Sequence, residues 1–384
     1  MFVPIGRSLR TGSPAGTAVV TASNRRSARF LGCRFRRLPR RVSVGLLSLL
    51  IAACGGGSSL PESDQPVALR ADAVPVLIDT DMAADDWLAI LYLLKRPDVD
   101  VRAITVTGAG EAHCPAGTRN ALKLAALAGR PEIPVACGRE TPLAGTHAFP
   151  EEWRESVDEL VGLELPEGAG VVSRESAVEL LTRLVRTSTR KIHVLALGPL
   201  TNVCEALLAE PSLVDHLEMI TIMGGAVRVP GNVGAVSTIE NDTAEWNFYV
   251  DPSAAGVVLD SGAPVTLVPL DATNDVPVTA EFFDRMHSDR TTAAAAFAYE
   301  VLAAHEGDLS SGRFFFWDPL AAAVVGDDGL VTVVETPIVV ITEEGPESGR
   351  TLESESGASV RVAMSADRAR FEKLFLDTLN DRLP

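Results

Sequence analysis

Cysteine is scarce in this chain, and no two cysteines are spaced as in CxxC. Cys33 and Cys54 lie near the amino terminus, which leaves Cys114, Cys137 and Cys204 in the rest of the 384 residues. Neither a disulfide framework nor a zinc site is therefore indicated. One disulfide together with one free thiol remains compatible with an oxidising compartment.

Long apolar runs and basic charge are also scarce. The run at residues 42–53 is about a dozen residues long, whereas a membrane-spanning helix needs roughly 20. Residues 1–53 hold ten arginines and no acid; beyond them 24 basic side chains stand against 51 acidic ones, a net formal charge of −27. This charge repels nucleic-acid phosphates and anionic lipid headgroups, so small neutral molecules or cations are the expected partners.

The amino terminus has the layout of an export signal. Basic RFRRLPRR precedes the apolar run, and a Pro/Gly/Ser-rich segment follows it. LIAAC resembles a bacterial lipoprotein signal, which implies lipidation of Cys54 and a protein exported to the cell envelope and held on the membrane by that lipid alone. A plain signal peptide or a short membrane anchor is the alternative. We expect a signal peptide (1–53), a flexible linker (54–73) and one domain (74–384).

Strand and helix patterns alternate through the expected domain. The predicted strands are 75–79, 101–107, 191–197, 219–223 and 264–270. The predicted helices between and beside them are 85–95, 115–128, 174–187, 200–209 and 252–261. Farther along we predict helices at 279–305 and 366–381 and a β pair at 330–341 and 358–364. The alternation indicates a single-domain α/β fold with a Rossmann-like core, in which helices flank a mostly parallel central sheet.

Four aspartates are crowded where the first predicted strand ends, in IDTDMAADD. Asp79 and Asp81 end the strand, and Asp85 and Asp86 begin a helix. Helix capping accounts for one or two of them but not for four. Carboxylates this close repel each other unless a proton or a cation neutralises them, and hard oxygen ligands suit Ca²⁺ or Mg²⁺ rather than zinc. Open parallel sheets bind ligands at this end of their strands.

Polar segments that follow later strands complete a pattern with the aspartates. They are ALGPLTN, MGGAVRVPGN with AEWNFYVDP, PLDAT and WDPLAA. In this order the segments resemble the inosine–uridine-preferring nucleoside hydrolase family, whose DxDxxxDD signature is similar to DTDMAADD. The resemblance covers about residues 74–384. It implies calcium-dependent hydrolysis of the N-glycosidic bond of ribonucleosides to ribose and free base. Members are commonly dimers or tetramers, so a homo-oligomer is compatible with it.

The resemblance also implies roles for individual residues. The Ca²⁺ ligands would be Asp81, Asp86, the main-chain carbonyl of Leu197 and Asp318. Asp81 would also take a proton from the calcium-bound water that attacks the anomeric carbon. The residues that would contact the ribose are Asp85, Met223, Asn232, Glu245 and Asn247. Asp271 matches a motif position, but we assign it, like Asp79, a structural role at a strand end.

The chain departs from the family pattern where the base would bind. Glu111 stands at the place of an asparagine that contacts ribose, and Trp317 replaces a histidine that many members carry and that is proposed to protonate the leaving base. Trp317 would instead stack on the base. His147, His113 or solvent would then supply the proton, and surface histidines without a role are the alternative. The long excursion 139–172 has no strand pattern and is expected to form a base-binding lid with His147, Phe149 and Trp153.

Two other functions are compatible with parts of the sequence. A phosphatase of the haloacid-dehalogenase type would use Asp79 as its nucleophile, but Ala83 and the few lysines fit that family poorly. A non-catalytic, calcium-dependent nucleoside or sugar receptor would tolerate the departures at Glu111 and Trp317. The aspartate Asp81, which such a receptor does not need, favours an enzyme.

Overall fold

Strands and helices alternate along residues 63–383, the part of the chain that the computed structural model describes. One sheet contains nine strands: β1 (Val74–Thr80), β2 (Val99–Val106), β3 (Val135–Cys137), β4 (Ile192–Ala196), β5 (Leu217–Met223), β6 (Val265–Val268), β7 (Val331–Val340), β8 (Thr351–Glu353) and β9 (Ala358–Ala366). Strands β1 to β6 are parallel, and β9 is parallel to β6. Within this sheet only the β7–β8 and β7–β9 pairs are antiparallel. The predicted α/β fold with a mostly parallel sheet is confirmed.

Helices cover both faces of the sheet. The longer ones are α1 (Ala84–Leu94), α2 (Cys114–Leu127), α3 (Glu151–Asp158), α4 (Ala177–Thr187), α5 (Thr201–Ala209), α8 (Pro252–Leu259), α10 (Ala280–Ser288), α11 (Ala293–Ala304), α13 (Trp317–Gly326) and α14 (Arg368–Leu379). Four short helices are α6 (Val233–Val236), α7 (Trp246–Val250), α9 (Leu270–Thr273) and α12 (Glu306–Ser310). Single 3-10 turns lie at Leu160–Gly162, Pro211–His216 and Asp328–Leu330.

The sheet is buried on both faces because its central strands are almost entirely apolar. In β1, Val76 and Ile78 pack on one face with α1, α11 and α13, whereas Leu77 packs on the other with α4, α5 and α8. Successive side chains of a strand point to opposite faces, so a strand covered on both faces must be apolar at successive positions. The same rule explains β4 and β5.

The strand order is β3-β2-β1-β4-β5-β6-β9-β7-β8. After β3 the chain crosses back and adds β4 beside β1, so the direction of winding reverses between β1 and β4. Helices leave opposite faces of the sheet at such a point, which opens a crevice outside the carboxyl ends of the strands. IDTDMAADD spans the end of β1 and ALGPLTN the end of β4, so both segments border this crevice.

All five predicted parallel strands are present, and two short strands, β3 and β8, were missed. The helix predicted over 279–305 is wrong as one element. It is two helices, α10 and α11, and the Thr292 side chain accepts a hydrogen bond from the backbone N–H of Ala295 and caps the second one. The excursion 139–172 contains α3, and Val172 forms an isolated bridge with Val135.

Part of the predicted linker is held against the domain. The Asp64 carboxylate lies 3.1 Å from Nζ of Lys95, a fully buried side chain, and accepts the backbone N–H groups of Ala293 and Ala294. Asp64, within the predicted linker, therefore contacts the domain directly. Residues 1–62, with the signal peptide and Cys54, lie outside the described residues. Among residues 63–383 no helix combines the length and the apolar character needed to cross a bilayer.

Candidate active site

The turn after β1 is held in a conformation that L-residues rarely adopt. Met82 has φ 62°, although it is not glycine. Its N–H donates to Oγ1 of Thr80 at 2.9 Å, and its carbonyl oxygen accepts Nε1–H of Trp87 at 2.8 Å. These bonds fold the chain back so that Asp81 and the first turn of α1 lie side by side. Strained backbone of this kind is concentrated at functional sites.

Three carboxylates meet beside this turn and form what we call the carboxylate cluster: Asp85, Asp86 and Asp318. One oxygen from each lies within 4.8 Å of the others. Asp318 comes from the first turn of α13, and its backbone N–H points to Oδ2 of Asp85 at 3.4 Å. Oδ1 of Asp86 accepts the hydroxyl of Thr80.

Two buried oxygens of the cluster, Oδ2 of Asp86 and Oδ1 of Asp318, have no hydrogen-bond partner within the described residues. Buried carboxylate oxygens normally have a donor, and a bound cation serves the same purpose. An all-oxygen donor set of this kind suits Ca²⁺ or Mg²⁺. The residues therefore fit a hard divalent cation.

Asp81 borders the cluster rather than belonging to it. Its carboxyl interacts directly with that of Asp86. Its Oδ2 accepts the N–H of Glu111 at 3.1 Å and its Oδ1 the N–H of Ala83 at 3.3 Å. The structure thus places Asp85, expected at the sugar, among the clustered carboxylates and Asp81 at their edge.

Burial and mutual repulsion raise the pKa values of the acidic side chains in the site. Burial raises the pKa of Asp81 to about 6, while the hydrogen bonds it accepts and the charge of Arg154 act the other way. Burial and the charge of Asp81 raise the pKa of Asp85 to about 7. The same two causes raise the pKa of Asp86 well above its usual range, and burial with the charges of Asp85 and Asp86 does so for Asp318. Neutralisation of the cluster would relieve this repulsion.

The segments after β4 and β5 are joined by one amide. Nδ2 of Asn247 donates to the carbonyl oxygens of Leu197, at 3.1 Å, and Met223, at 3.2 Å. Glu245 caps α7, since its carboxylate accepts the N–H groups of Asn247, Phe248 and Gly225. Burial nevertheless raises the pKa of Glu245 to about 7.

The remaining sugar-site residue, Asn232, lies in the same region. Its Oδ1 accepts the backbone N–H of Trp246 at 3.1 Å, next to Glu245 and Asn247. The structure therefore brings Asn232, Glu245 and Asn247, the predicted sugar-binding residues of MGGAVRVPGN and AEWNFYVDP, together at the ends of β4 and β5.

Two aspartates have contacts typical of structural residues. Oδ1 of Asp79 accepts the Thr105 hydroxyl at 2.6 Å and Nδ2 of Asn202 at 2.8 Å. Asp271 accepts the backbone N–H groups of Val227 and Arg228, both at 2.8 Å, and so holds the glycine-rich loop.

The two histidines considered as proton donors are held by other groups. His147 has Nδ1 2.7 Å from the carbonyl oxygen of Tyr249 and Nε2 2.9 Å from Glu344, and its ring stacks on Tyr249. His113 has Nδ1 2.7 Å from Asp158 and Nε2 3.5 Å from Glu151. Both nitrogens of each ring therefore lie next to an acceptor, and these contacts connect the excursion to neighbouring segments.

Aromatic side chains border the site from two directions. Trp317 packs against Phe314 and Phe315, with ring centroids 5.7 and 5.6 Å away. From the excursion, Phe149 stacks on Trp246 at 4.9 Å, and Trp153 contacts the same ring at 5.4 Å. The excursion therefore lies against α7, which also carries Asn247.

Glu111 and Arg154 lie close to Asp81. Glu111 is partly buried, and burial with the charges of Asp81 and Asp85 raises its pKa well above the usual range. Arg154, from α3, is 7% exposed and donates to the carbonyl oxygen of Gly108 at 2.8 Å. The sequence pattern predicts no helix at α3, so it does not indicate Arg154 as a site residue. An arginine in the functional excursion was the available signal.

Comparison with known proteins decides the family. A sequence model described as "Inosine-uridine preferring nucleoside hydrolase" matches residues 76–373. The chain belongs to the inosine–uridine-preferring nucleoside hydrolase family. It is therefore a nucleosidase, a hydrolase that acts on N-glycosyl bonds, and the phosphatase and receptor alternatives are set aside.

Individual relatives agree with this assignment. The hydrolase is 31% identical over 316 residues to the pyrimidine-specific ribonucleoside hydrolase RihA of Escherichia coli O127:H6, covering 80% of this chain and 98% of the relative. It is similar to the crystal structure of the inosine-uridine preferring nucleoside hydrolase from Bacillus anthracis, with a TM-score of 0.71, 25% identity, and coverage of 80% of this chain and 99% of the other. It is also similar to the structure of the purine-preferring ribonucleoside hydrolase from Gardnerella vaginalis. The TM-score is 0.70 and the sequence identity 28%, with coverage of 81% of this chain and 100% of the other.

Proposed function

We propose that this protein hydrolyses the N-glycosidic bond of ribonucleosides to ribose and free base, with Ca²⁺ as its cofactor. The observation that carries the proposal is the carboxylate cluster with its two unpartnered buried oxygens. Four adjoining carboxyls, counting Asp81, cannot all be ionised near neutral pH without a cation. The family of the chain supports the N-glycosidic bond as the target.

Asp81, Asp86, Asp318 and the carbonyl of Leu197 would hold the ion, and Asp85 would bind ribose hydroxyls beside it. The ion, when bound, supplies positive charge that neutralises these acids, orients vicinal hydroxyls and lowers the pKa of water. The carbonyl of Leu197 already accepts Nδ2–H of Asn247, which leaves its second lone pair for the ion.

Asp81 would act as the general base that removes a proton from the attacking water. The N–H groups of Glu111 and Ala83 fix both of its oxygens, so the carboxylate is oriented before substrate binds. A positioned base contributes about 10²- to 10⁴-fold to such a reaction.

The surrounding acids and amides would stabilise the ribosyl cation that develops as the bond breaks. Asn247 donates through Nδ2 to the two strand ends, which leaves its Oδ1 to accept a sugar hydroxyl. Glu245, Asn232 and Met223 would complete the ribose site. Hydroxyl-binding groups left unpaired by a deoxyribose would be costly, so ribonucleosides should be preferred.

Trp317 would stack on the base, and the leaving base would take its proton from solvent. Support for the second statement comes from His147 and His113, whose ring nitrogens are both engaged with the excursion and its neighbours. A riboside whose leaving group needs no proton should then be the fastest substrate.

A nucleoside panel tests the proposal. The mature protein with Ca²⁺ is incubated with purine and pyrimidine ribonucleosides, the matching deoxyribonucleosides and nitrophenyl riboside, and released sugar is measured. Ribose release from at least one ribonucleoside, lost in Asp81→Asn with the fold retained, supports it. No release from any riboside contradicts it. The two relatives named for pyrimidine and for purine bases make both classes necessary in the panel.

We further propose that the enzyme is exported and anchored through a lipid on Cys54. The leader sequence supports this, and so does a disulfide between Cys114 and Cys137 in the folded domain, since such bonds persist in oxidising compartments. Loss of membrane association in Cys54→Ala, with activity recovered in the soluble fraction, is the expected result. Wild-type protein found in the cytoplasm would contradict it.

A further inference from the structure

A disulfide joins two segments that leave the sheet next to the aspartates of β1. Cys114 is the first residue of α2, Cys137 is the last of β3, and they are bonded to each other. The loop 107–113 leads into Cys114, and a turn at 138–140 leaves Cys137. Each of these segments contacts either one of those aspartates or a residue that donates a hydrogen bond to one of them.

The loop on the Cys114 side lies directly on Asp81. Glu111 N–H donates to the Asp81 carboxylate at 3.1 Å, and Ala112 N–H donates to the Asp81 carbonyl at 2.8 Å. Gly110 is packed so closely that an added Cβ would lie 2.1 Å from Cβ of Asp81. A shift of this loop therefore moves the donor that orients the proposed base.

The turn on the Cys137 side packs against the side chain that donates a hydrogen bond to Asp79. A Cβ added at Gly138 would lie 1.9 Å from Oδ1 of Asn202, and Nδ2 of that residue donates to Asp79 at 2.8 Å. Glu140 connects the two segments, since its Oε1 accepts the N–H of Cys114 at 3.1 Å.

The strand that carries Cys137 is short and lies at the edge of the sheet. Among the described residues β3 pairs with β2 through three residues, its other side carries one isolated bridge, between Val135 and Val172, and the excursion begins directly after it. A cross-link at its last residue fixes the point from which the excursion departs.

We propose that the Cys114–Cys137 disulfide is a positioning device for Asp81, so that nucleosidase activity depends on the oxidation state of this pair; this rests on the proposed function. A dithiol reductant attacks one sulfur, forms a mixed disulfide and is released as its own cyclic disulfide. The products in the protein are the thiols of Cys114 and Cys137, so atoms and electrons balance. Cys114 is fully buried, and Cys137 is partly exposed.

The test compares four samples: wild type and the double variant Cys114→Ala/Cys137→Ala, each with and without dithiothreitol, assayed well below their Tm with saturating Ca²⁺. We expect reduction of wild type to lower kcat/KM about tenfold or more, because misplacement by about 1 Å can cost up to about 100-fold. The double variant should match reduced wild type and ignore the reductant. Cys204→Ala should respond as wild type does.

A purely stabilising disulfide would lower Tm and leave the kinetics unchanged at low temperature, and that result would overturn the proposal. Two free thiols by alkylation and mass spectrometry in air-oxidised protein would also overturn it. An oxidised enzyme without activity on any nucleoside would instead show that the proposed function is wrong. Equal kcat/KM in an active oxidised enzyme and its reduced form refutes only the positioning role.

Discussion

The indole N–H of Trp87 donates to the carbonyl oxygen of Met82 across 2.8 Å, from the first turn of α1 into the turn before it. Met82 is in the left-handed region, and Trp87 is fully buried against Phe297. The bond therefore stabilises a strained turn that sets Asp81 beside the carboxylate cluster. Trp87 is a positioning residue, since its indole N–H acts through the carbonyl of Met82.

Trp87→Phe should weaken calcium binding. It removes the donor to Met82 and keeps an aromatic ring in the core. A buried hydrogen bond contributes about 0.5–1.5 kcal/mol, so the Kd for Ca²⁺ should rise about two- to tenfold. Calorimetric titration of the metal-free protein measures it. Phe297→Leu, which changes the packing on the same ring, should lower Tm without changing the Kd; equal Kd values for Trp87→Phe and wild type would contradict the role.

The metal-free protein should become less stable as the pH rises from 5 to 8. Asp81 and Asp85 have folded-state pKa values of about 6 and about 7 against an ordinary 3.8. The folded state thus keeps protons that the unfolded state has lost, and the free energy of unfolding falls as the pH rises through the folded pKa values. Ca²⁺ should therefore raise Tm more at pH 8 than at pH 5.

Thermal melts with chelator and with Ca²⁺ at both pH values check this expectation. Asp318→Asn, which removes one charge of the cluster, should flatten the pH dependence and reduce the calcium shift. A chelated protein whose Tm does not change between pH 5 and 8 would show that the cluster is not repulsive.

Trp317→Ala should weaken nucleoside binding. Stacking of a base on an aromatic ring is worth about 1–3 kcal/mol, which corresponds to a rise in KM of about five- to 150-fold. Trp317→Phe keeps a flat face and should stay within a few-fold of wild type. Initial rates of ribose release over a range of nucleoside concentrations distinguish them. Wild-type KM in the alanine variant would exclude stacking on this ring.

Asp64→Ala should destabilise the domain although residue 64 precedes the first strand. It removes a partner of the buried Lys95 and the acceptor of the first two N–H groups of α11, at a cost of about 2–3 kcal/mol. Asp381→Ala removes the other, half-exposed partner of Lys95 and should cost under about 1 kcal/mol. Urea unfolding of both variants measures the difference. Equal midpoints would show that the segment before residue 74 contributes nothing.

The central sheet was predictable because its strands are short apolar runs between helical patterns. β3 has only three residues, and α13 begins with aromatic and proline residues that were read as a motif rather than as a helix. The break between α10 and α11 depends on a capping side chain, Thr292, inside a pattern that otherwise remains helical. The local sequence signal for such elements is weak, and tertiary contacts determine whether and where they form.

For the site, the order of motifs was sufficient to predict that one end of the sheet carries Asp86, Leu197, Asn247 and Asp318. Sequence could not show that Asp85 joins the cluster, because that depends on the strained turn at Met82. Nor could it pair Cys114 with Cys137, since connectivity does not follow from spacing. The side-chain contacts of His147 and His113 likewise involve partners far away in the chain.

Ribose release during stepwise addition of Ca²⁺ to the metal-free enzyme tests the central claim most directly. The protein is freed of metal by chelation, given a ribonucleoside it cleaves, and titrated with Ca²⁺, with Mg²⁺ in a parallel series and with Asp318→Asn as the matched variant. We predict no turnover without metal, saturable recovery with Ca²⁺, and a higher Ca²⁺ requirement in Asp318→Asn. Full activity of wild type in the presence of chelator would contradict a metal-dependent carboxylate site.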